Sequence, residues 1–288
     1  MGHGWGTADE LVPRRVGALV GKRVVQVAGV PLHTAVVTSD GELYTFGDGY
    51  YGKLGHGNQT NELVPRWVEA CGEKYAVQVA CGRRHTAVIT SMGELFTFGS
   101  GYYGKLGHGN SKDDEFIPRR VEALVGKRVV QVACGYEHTA VITSDGELHT
   151  FGWGELGRLG HGGEENELVP RRVKVLVGIQ VVQVSCGGRH TAVVTSDGEL
   201  FAFGNGYFGQ LGHGDKKDES VPRRVDALVG KRVVQVACGN HHTAAITSEG
   251  ELLTFGDESR GQLGHGSKDN ELVPKRVEAL VALGKPTN

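Results

Sequence analysis

Leu-Gly-His-Gly occurs five times along the 288-residue chain, and the spacing of those copies constrains the fold more than any other feature. The central histidines His56, His108, His161, His213 and His265 lie 52, 53, 52 and 52 residues apart. The His-Thr pairs that begin at His33, His85, His138, His190 and His242 step by the same intervals. So do the prolines Pro13, Pro65, Pro118, Pro170, Pro222 and Pro274. A fixed period of this length marks an array of one supersecondary unit, each copy covering the apolar face of the next. The chain divides into a partial repeat at 1–23 and full repeats at about 24–75, 76–128, 129–180, 181–232 and 233–288. No linker or shift of composition separates them.

One repeat reads as four short strands. In AVQVACG, Val77, Val79 and Cys81 alternate as on a half-buried strand, and HTAVIT follows as a second strand dense in β-branched residues. Ser-Asp-Gly-Glu then recurs, with Asp40-Gly41, Asp145-Gly146 and Asp197-Gly198 at its centre. Asp-Gly between alternating strands predicts a type I′ hairpin. GELFTFG is the third strand, and a proline-led segment such as IPRRV is a fourth, where a missing N–H suits a strand start or an outer edge. Five such units without helical periodicity predict an all-β fold, a β-propeller or an open propeller arc.

Gly47, Gly49 and Gly52 spell G-x-G-x-x-G, a phosphate-cradling pattern when it joins a strand to a helix. Here the pattern repeats at Gly99, Gly152 and Gly204 and runs into K-L-G-H-G or a close variant, which cannot open a helix. These glycines are therefore expected to supply positive φ where a strand ends and the chain reverses. No cofactor is expected.

The ordered motifs V-x-x-V-x-C-G-x-x-H-T, S-D-G-x-L-x-x-F-G, G-x-L-G-H-G and V-P-x-x-V resemble the regulator of chromosome condensation repeat family across essentially the whole chain. The resemblance implies a propeller, commonly of seven blades. This chain departs in number, with five full repeats and a leading V-P-R-R-V segment. Five repeats can close as a small ring, stand as an open arc, or form part of a larger propeller. An open arc leaves sheet edges for self-association.

Composition narrows the function. A net charge of −2 argues against a dedicated nucleic-acid binder, and no apolar run approaches the ~20 residues of a membrane span. With no secretory leader visible in MGHGWGTADE, an intracellular location, cytoplasmic or nuclear, is expected. Cys81, Cys134, Cys186 and Cys238 recur one per repeat, and Cys71 stands apart; all five are expected to be reduced thiols. The ten repeated histidines are expected to be hydrogen-bonded structural residues, since one per blade does not converge on a metal ion. No nucleophile–base arrangement stands outside the repeat consensus, so no catalytic residues are assigned. Basic pairs such as Arg119-Arg120, Arg171-Arg172 and Arg223-Arg224 are expected to be solvated and balanced by nearby acids such as Glu62, Glu122 and Glu278.

Positions that differ between repeats are free of the fold's demands. One set precedes the His-Thr pair: Arg83-Arg84, Tyr136-Glu137, Gly188-Arg189 and Asn240-His241. A second lies in the glycine loop: Tyr50-Tyr51, Tyr102-Tyr103, Trp153 and Tyr207-Phe208. Tyr, Trp and Arg are enriched at interface centres, so these residues are the candidate binding surface for a protein partner; packing of the rings between blades is the competing expectation.

The family resemblance implies three functional classes: a protein-interaction scaffold, guanine nucleotide exchange on a Ran-like small GTPase with chromatin docking, and ultraviolet-B sensing. The even spacing leaves no room for the wedge insertion of the founding exchange factor, and the basic tail used for chromatin is not visible. Trp5, Trp67 and Trp153 fall in separate repeats, too sparse for a tryptophan cluster. The scaffold is the expected function.

Overall fold

Four-stranded antiparallel meanders, five in number, follow one another around a common axis. The computed structural model describes residues 14–72 and 74–278; Trp5 and Pro13 of the leading partial repeat lie outside them. The first blade is β1 (Val24–Val30), β2 (His33–Thr38), β3 (Leu43–Gly47) and β4 (Glu62–Trp67). The second is β5 (Ala76–Cys81), β6 (His85–Thr90), β7 (Leu95–Gly99) and β8 (Glu115–Arg120). The third is β9 (Val129–Cys134), β10 (His138–Thr143), β11 (Leu148–Gly152) and β12 (Glu167–Arg172). The fourth is β13 (Val181–Cys186), β14 (His190–Thr195), β15 (Leu200–Gly204) and β16 (Glu219–Arg224). The fifth is β17 (Val233–Cys238), β18 (His242–Thr247), β19 (Leu252–Gly256) and β20 (Glu271–Arg276). First strands pack against first strands of the next blade, so they line the axis, and the proline-bearing fourth strands form the outer edge.

The core lies between blades. Ala35, Val37 and Leu43 of the first blade pack on Val79, Val88 and Phe98 of the second, and each later junction repeats this. Polar bonds set the register across each junction. His33 Nε2 lies 2.9 Å from Thr86 Oγ1, and that hydroxyl donates to the Lys53 carbonyl at 2.7 Å. Because the hydroxyl proton is already committed, His33 must donate from Nε2. The arrangement recurs at His85–Thr139, His138–Thr191 and His190–Thr243. Gln26 adds a two-way clasp, accepting from the Val79 N–H at 2.7 Å and donating to its carbonyl at 3.2 Å. In the four later blades the Cys-Gly glycine leaves room for this histidine, whereas the first blade carries Val30 at that position beside His33. A Cβ on Gly135 would sit 2.1 Å from the His138 ring.

Three local expectations change. The Ser-Asp-Gly hairpin is not type I′: Gly41 N–H donates to the Thr38 carbonyl, only Gly41 has positive φ, and Thr38 pairs with Glu42. That is a type I turn closed by a glycine bulge, which spares Asp40 the left-handed region. A bulge between Ala76 and Gln78 turns Val77 to solvent while Val79 and Cys81 stay buried. In the glycine loop, Gly47 and Gly52 do have positive φ, but Gly49 has φ −91°. Its role is close approach, since a Cβ there would lie 2.0 Å from the Thr60 carbonyl.

Among the described residues the arc is open at both ends. Val27 is 65% exposed, whereas its counterparts Val79, Val132, Val184 and Val236 are 2–4% exposed. At the other end, no described residue serves His242 as Thr243 serves His190.

Candidate functional site

Because each blade is a meander, the connection from first to second strand and the glycine loop from third to fourth emerge at the same end. The two sets of variable residues therefore share one surface, here called the loop end. Arg84 lies over the Tyr51 ring at 5.2 Å and approaches Glu137 at 3.7 Å, linking the first three blades. Arg83 lies over Tyr136 at 5.4 Å. Tyr103 stacks on Trp153 at 4.7 Å with planes 9° apart, and Phe208 meets His241 at 4.7 Å.

The aromatic pairs divide by role. Tyr50, Tyr102 and Tyr207 are 57%, 55% and 65% exposed. Their neighbours Tyr51, Tyr103 and Phe208 are half-buried and bridge to the following blade. Tyr51 and Tyr103 hold φ near +65°, a left-handed conformation that costs a non-glycine residue about 1–3 kcal/mol and aims the ring at the next blade. The first ring of each pair is presented to solvent; the second is packing.

Beneath these rings runs a row of buried groups that sequence reading missed. The residue before Leu-Gly-His-Gly is Lys53, Lys105, Arg158, Gln210 and Gln262 in successive blades. Lys53, Lys105 and Arg158 are at most 1% exposed. Each donates to the carbonyl three residues earlier, at Tyr50, Tyr102 and Glu155. Lys53 is neutralised from its own loop by Asp48 at 2.6 Å. Lys105 is neutralised from the next blade by Glu137 at 2.7 Å. Glu137, read from sequence as a contact residue, is thus buried and structural. Burial lowers the Lys53 and Lys105 ammonium pKa values, with Asp48 and Glu137 opposing the shift. Burial also brings Arg158 down to about 10, which leaves it charged at neutral pH.

A cavity of about 320 Å³ opens where the first-to-second-strand connections meet around the axis. Its lining includes Arg83, Tyr136, Asn240, Cys134, Cys186 and Cys238. Each thiol points to a carbonyl of the preceding blade, and burial pushes Cys81 up to about 12 and Cys238 to about 11.

The recurrent basic pairs lie on the outer strands and are paired. Arg66, Arg119, Arg171, Arg223 and Lys275 each meet the glutamate that opens their own strand. Arg120, Arg172, Arg224 and Arg276 reach the hairpin glutamates Glu94, Glu147, Glu199 and Glu251 at 2.9–3.2 Å. The balancing acids are these, together with Glu62, and not Glu122 or Glu278. At the end opposite the loops, Val20, Val125, Val177 and Val229 recur exposed.

Comparison with known proteins agrees with the blade geometry. Residues 1–284 match the RCC1-like domain. The chain belongs to the RCC1-like domain family. It is 38% identical to the ultraviolet-B receptor UVR8 of Arabidopsis thaliana over 97% of this chain and 63% of the receptor. It is 40% identical to the human E3 ubiquitin-protein ligase HERC2 over 89% of this chain and 5% of the ligase. The crystal structure of human WBSCR16 superposes with a TM-score of 0.80 at 30% identity, covering 89% of this chain and 67% of that one. The chain thus spans less than two thirds of the length of these two sequence relatives. No helix among the described residues is long and apolar enough to cross a membrane.

Proposed function

We propose that this RCC1-like arc is a non-catalytic protein-binding module that engages its partner through the loop end. The observation that carries this reading is the division of the aromatic pairs. One ring of each pair anchors a loop, and the other, Tyr50, Tyr102 or Tyr207, stands exposed above it. Rigid aromatic side chains on an ordered base contribute contact area at low entropic cost. Arg83, Arg189 and His241 extend the same surface with charge and hydrogen-bonding capacity. The outer-strand arginines support no rival surface of this kind, because their charge is spent on glutamates of their own blades.

The test compares two triple variants for capture of partners from cells. Tyr50, Tyr102 and Tyr207 changed to Ala should abolish capture with the fold intact by circular dichroism. Val125, Val177 and Val229 changed to Ser should leave capture unchanged. The reverse pattern moves the interface to the opposite end. Exchange activity makes a different prediction, dose-dependent release of labelled GDP from a Ran-like GTPase. Ultraviolet-B sensing is not favoured by the surroundings of Trp153, whose ring neighbours are Tyr103 and Arg158, not a second indole.

A further inference from the structure

The row of buried cations is neutralised by carboxylates at 2.6–2.7 Å in two blades, whereas in the third the ion pair is a looser 3.3 Å contact with a half-exposed glutamate. Lys53 takes its carboxylate from position 48 of its own loop, and Lys105 takes one from position 137 of the next blade. For Arg158 both sources are gone. The residue in place of Asp48 is Trp153, and the residue in place of Glu137 is Arg189. Arg158 Nη2 reaches only the half-exposed Glu155, at 3.3 Å, while Nη1 is buried with no hydrogen-bond partner. Arg189 is exposed, makes no ion pair among the described residues, and adds to the positive field at Arg158. Glu137 and Glu164 act on Arg158 only at longer range. In the fourth blade the problem vanishes, because Gln210 is uncharged and bonds Asn205 at 2.8 Å.

A buried guanidinium with an unused donor is costly, and the group that satisfies it best is a planar carboxylate. We propose that the junction of the third and fourth blades is a receptor for a carboxylate side chain of an acidic segment in the bound partner. Resting on the protein-binding reading above, this names the partner's chemistry. Arg189 meets the incoming carboxylate at the surface. Trp153, half-exposed and 4.4 Å from the Arg158 guanidinium, covers the buried half of the site and shifts when Arg158 is engaged. Asp48 and Glu137 show from inside the molecule what that ligand group looks like in place.

The experiment titrates the full chain with a fluorescein-labelled peptide of five Asp-Glu pairs, and with an Asn-Gln peptide of the same length. Anisotropy and tryptophan emission are the readouts. The acidic peptide should bind at least about tenfold more tightly, with a change in indole emission. Arg189→Glu places a carboxylate where the second junction has one, and should remove that preference. Arg158→Gln, which copies the fourth blade, should remove it too; Arg189→Lys should retain it. Thermal unfolding of each variant verifies the fold. No preference in the wild-type chain, or equal preference in Arg189→Glu and Arg158→Gln, overturns the proposal. Stronger competition by duplex DNA than by acidic peptide at matched charge also overturns it, in favour of phosphate. If cellular partners are still captured by Arg189→Glu, the binding-module reading survives and the carboxylate receptor alone falls.

Discussion

Acid should loosen the arc well before its carboxylates protonate. The histidines that bridge successive blades donate from Nε2 and keep a bare, buried Nδ1 without a partner at His33, His85, His138 and His190. Protonation would place a charge there with nothing to receive it. Burial accordingly pulls His33 and His190 down to about 3, and His85 and His138 well below the ordinary value. The unfolded chain titrates near 6.5, so below that pH it binds protons the folded chain refuses. Stability is complete above about 6.5 and falls as the pH drops toward 3. Each such histidine removes about 1.4 kcal/mol per pH unit, so His33 and His190 together remove about 4 kcal/mol by pH 5. His85 and His138 add to the loss. That is a large part of the roughly 5–15 kcal/mol that holds a typical domain together. Urea unfolding at pH 7.5 and 5.0 at constant ionic strength measures it directly. His190→Gln, which can still donate to Thr243, should flatten the dependence. An unfolding free energy that is the same at both pH values refutes the assignment of bare, neutral Nδ1 atoms.

Other consequences follow from the repeat comparison. Val79→Asp should cost at least about 3 kcal/mol by denaturant unfolding, whereas Val27→Asp at the same repeat position should change stability by less than about 0.5 kcal/mol, because no described blade covers it. Gly135→Ala should cost about 2–4 kcal/mol, because the new methyl meets the His138 ring. Cys71 and Cys81 should resist a thiol reagent at pH 8 in the folded protein and react on unfolding, since burial keeps them protonated and covered.

Much of this fold was legible in the chain because blade packing demands the same residues each time. The Cys-Gly-x-x-His-Thr string is one interblade joint: the glycine clears the histidine ring, the histidine bonds the next threonine, and the thiol reaches the preceding blade. The hairpin type was misread because Asp-Gly suits both a type I′ turn and a type I turn with a glycine bulge, and the strand register decides between them. Val77 was misplaced for a similar reason, as a bulge breaks the alternation that sequence displays. The loop-end residues were recognisable as variable, but their roles were not: Glu137 and Tyr103 belong to the packing, Tyr102 and Arg189 to the surface. Lys53, Lys105 and Arg158 went unnoticed inside a turn motif. The available signal was their exchange for Gln210 and Gln262, alongside the shift of the matching acid from Asp48 to Glu137.

The most direct measurement is site-specific photocrosslinking in cells, with a photoreactive phenylalanine placed in turn at Tyr102, Tyr207, Val125 and Val229. Adducts with a common partner at Tyr102 and Tyr207, and none at Val125 or Val229, are the predicted result. Adducts confined to Val125 and Val229 would place the partner on the opposite end and contradict the account.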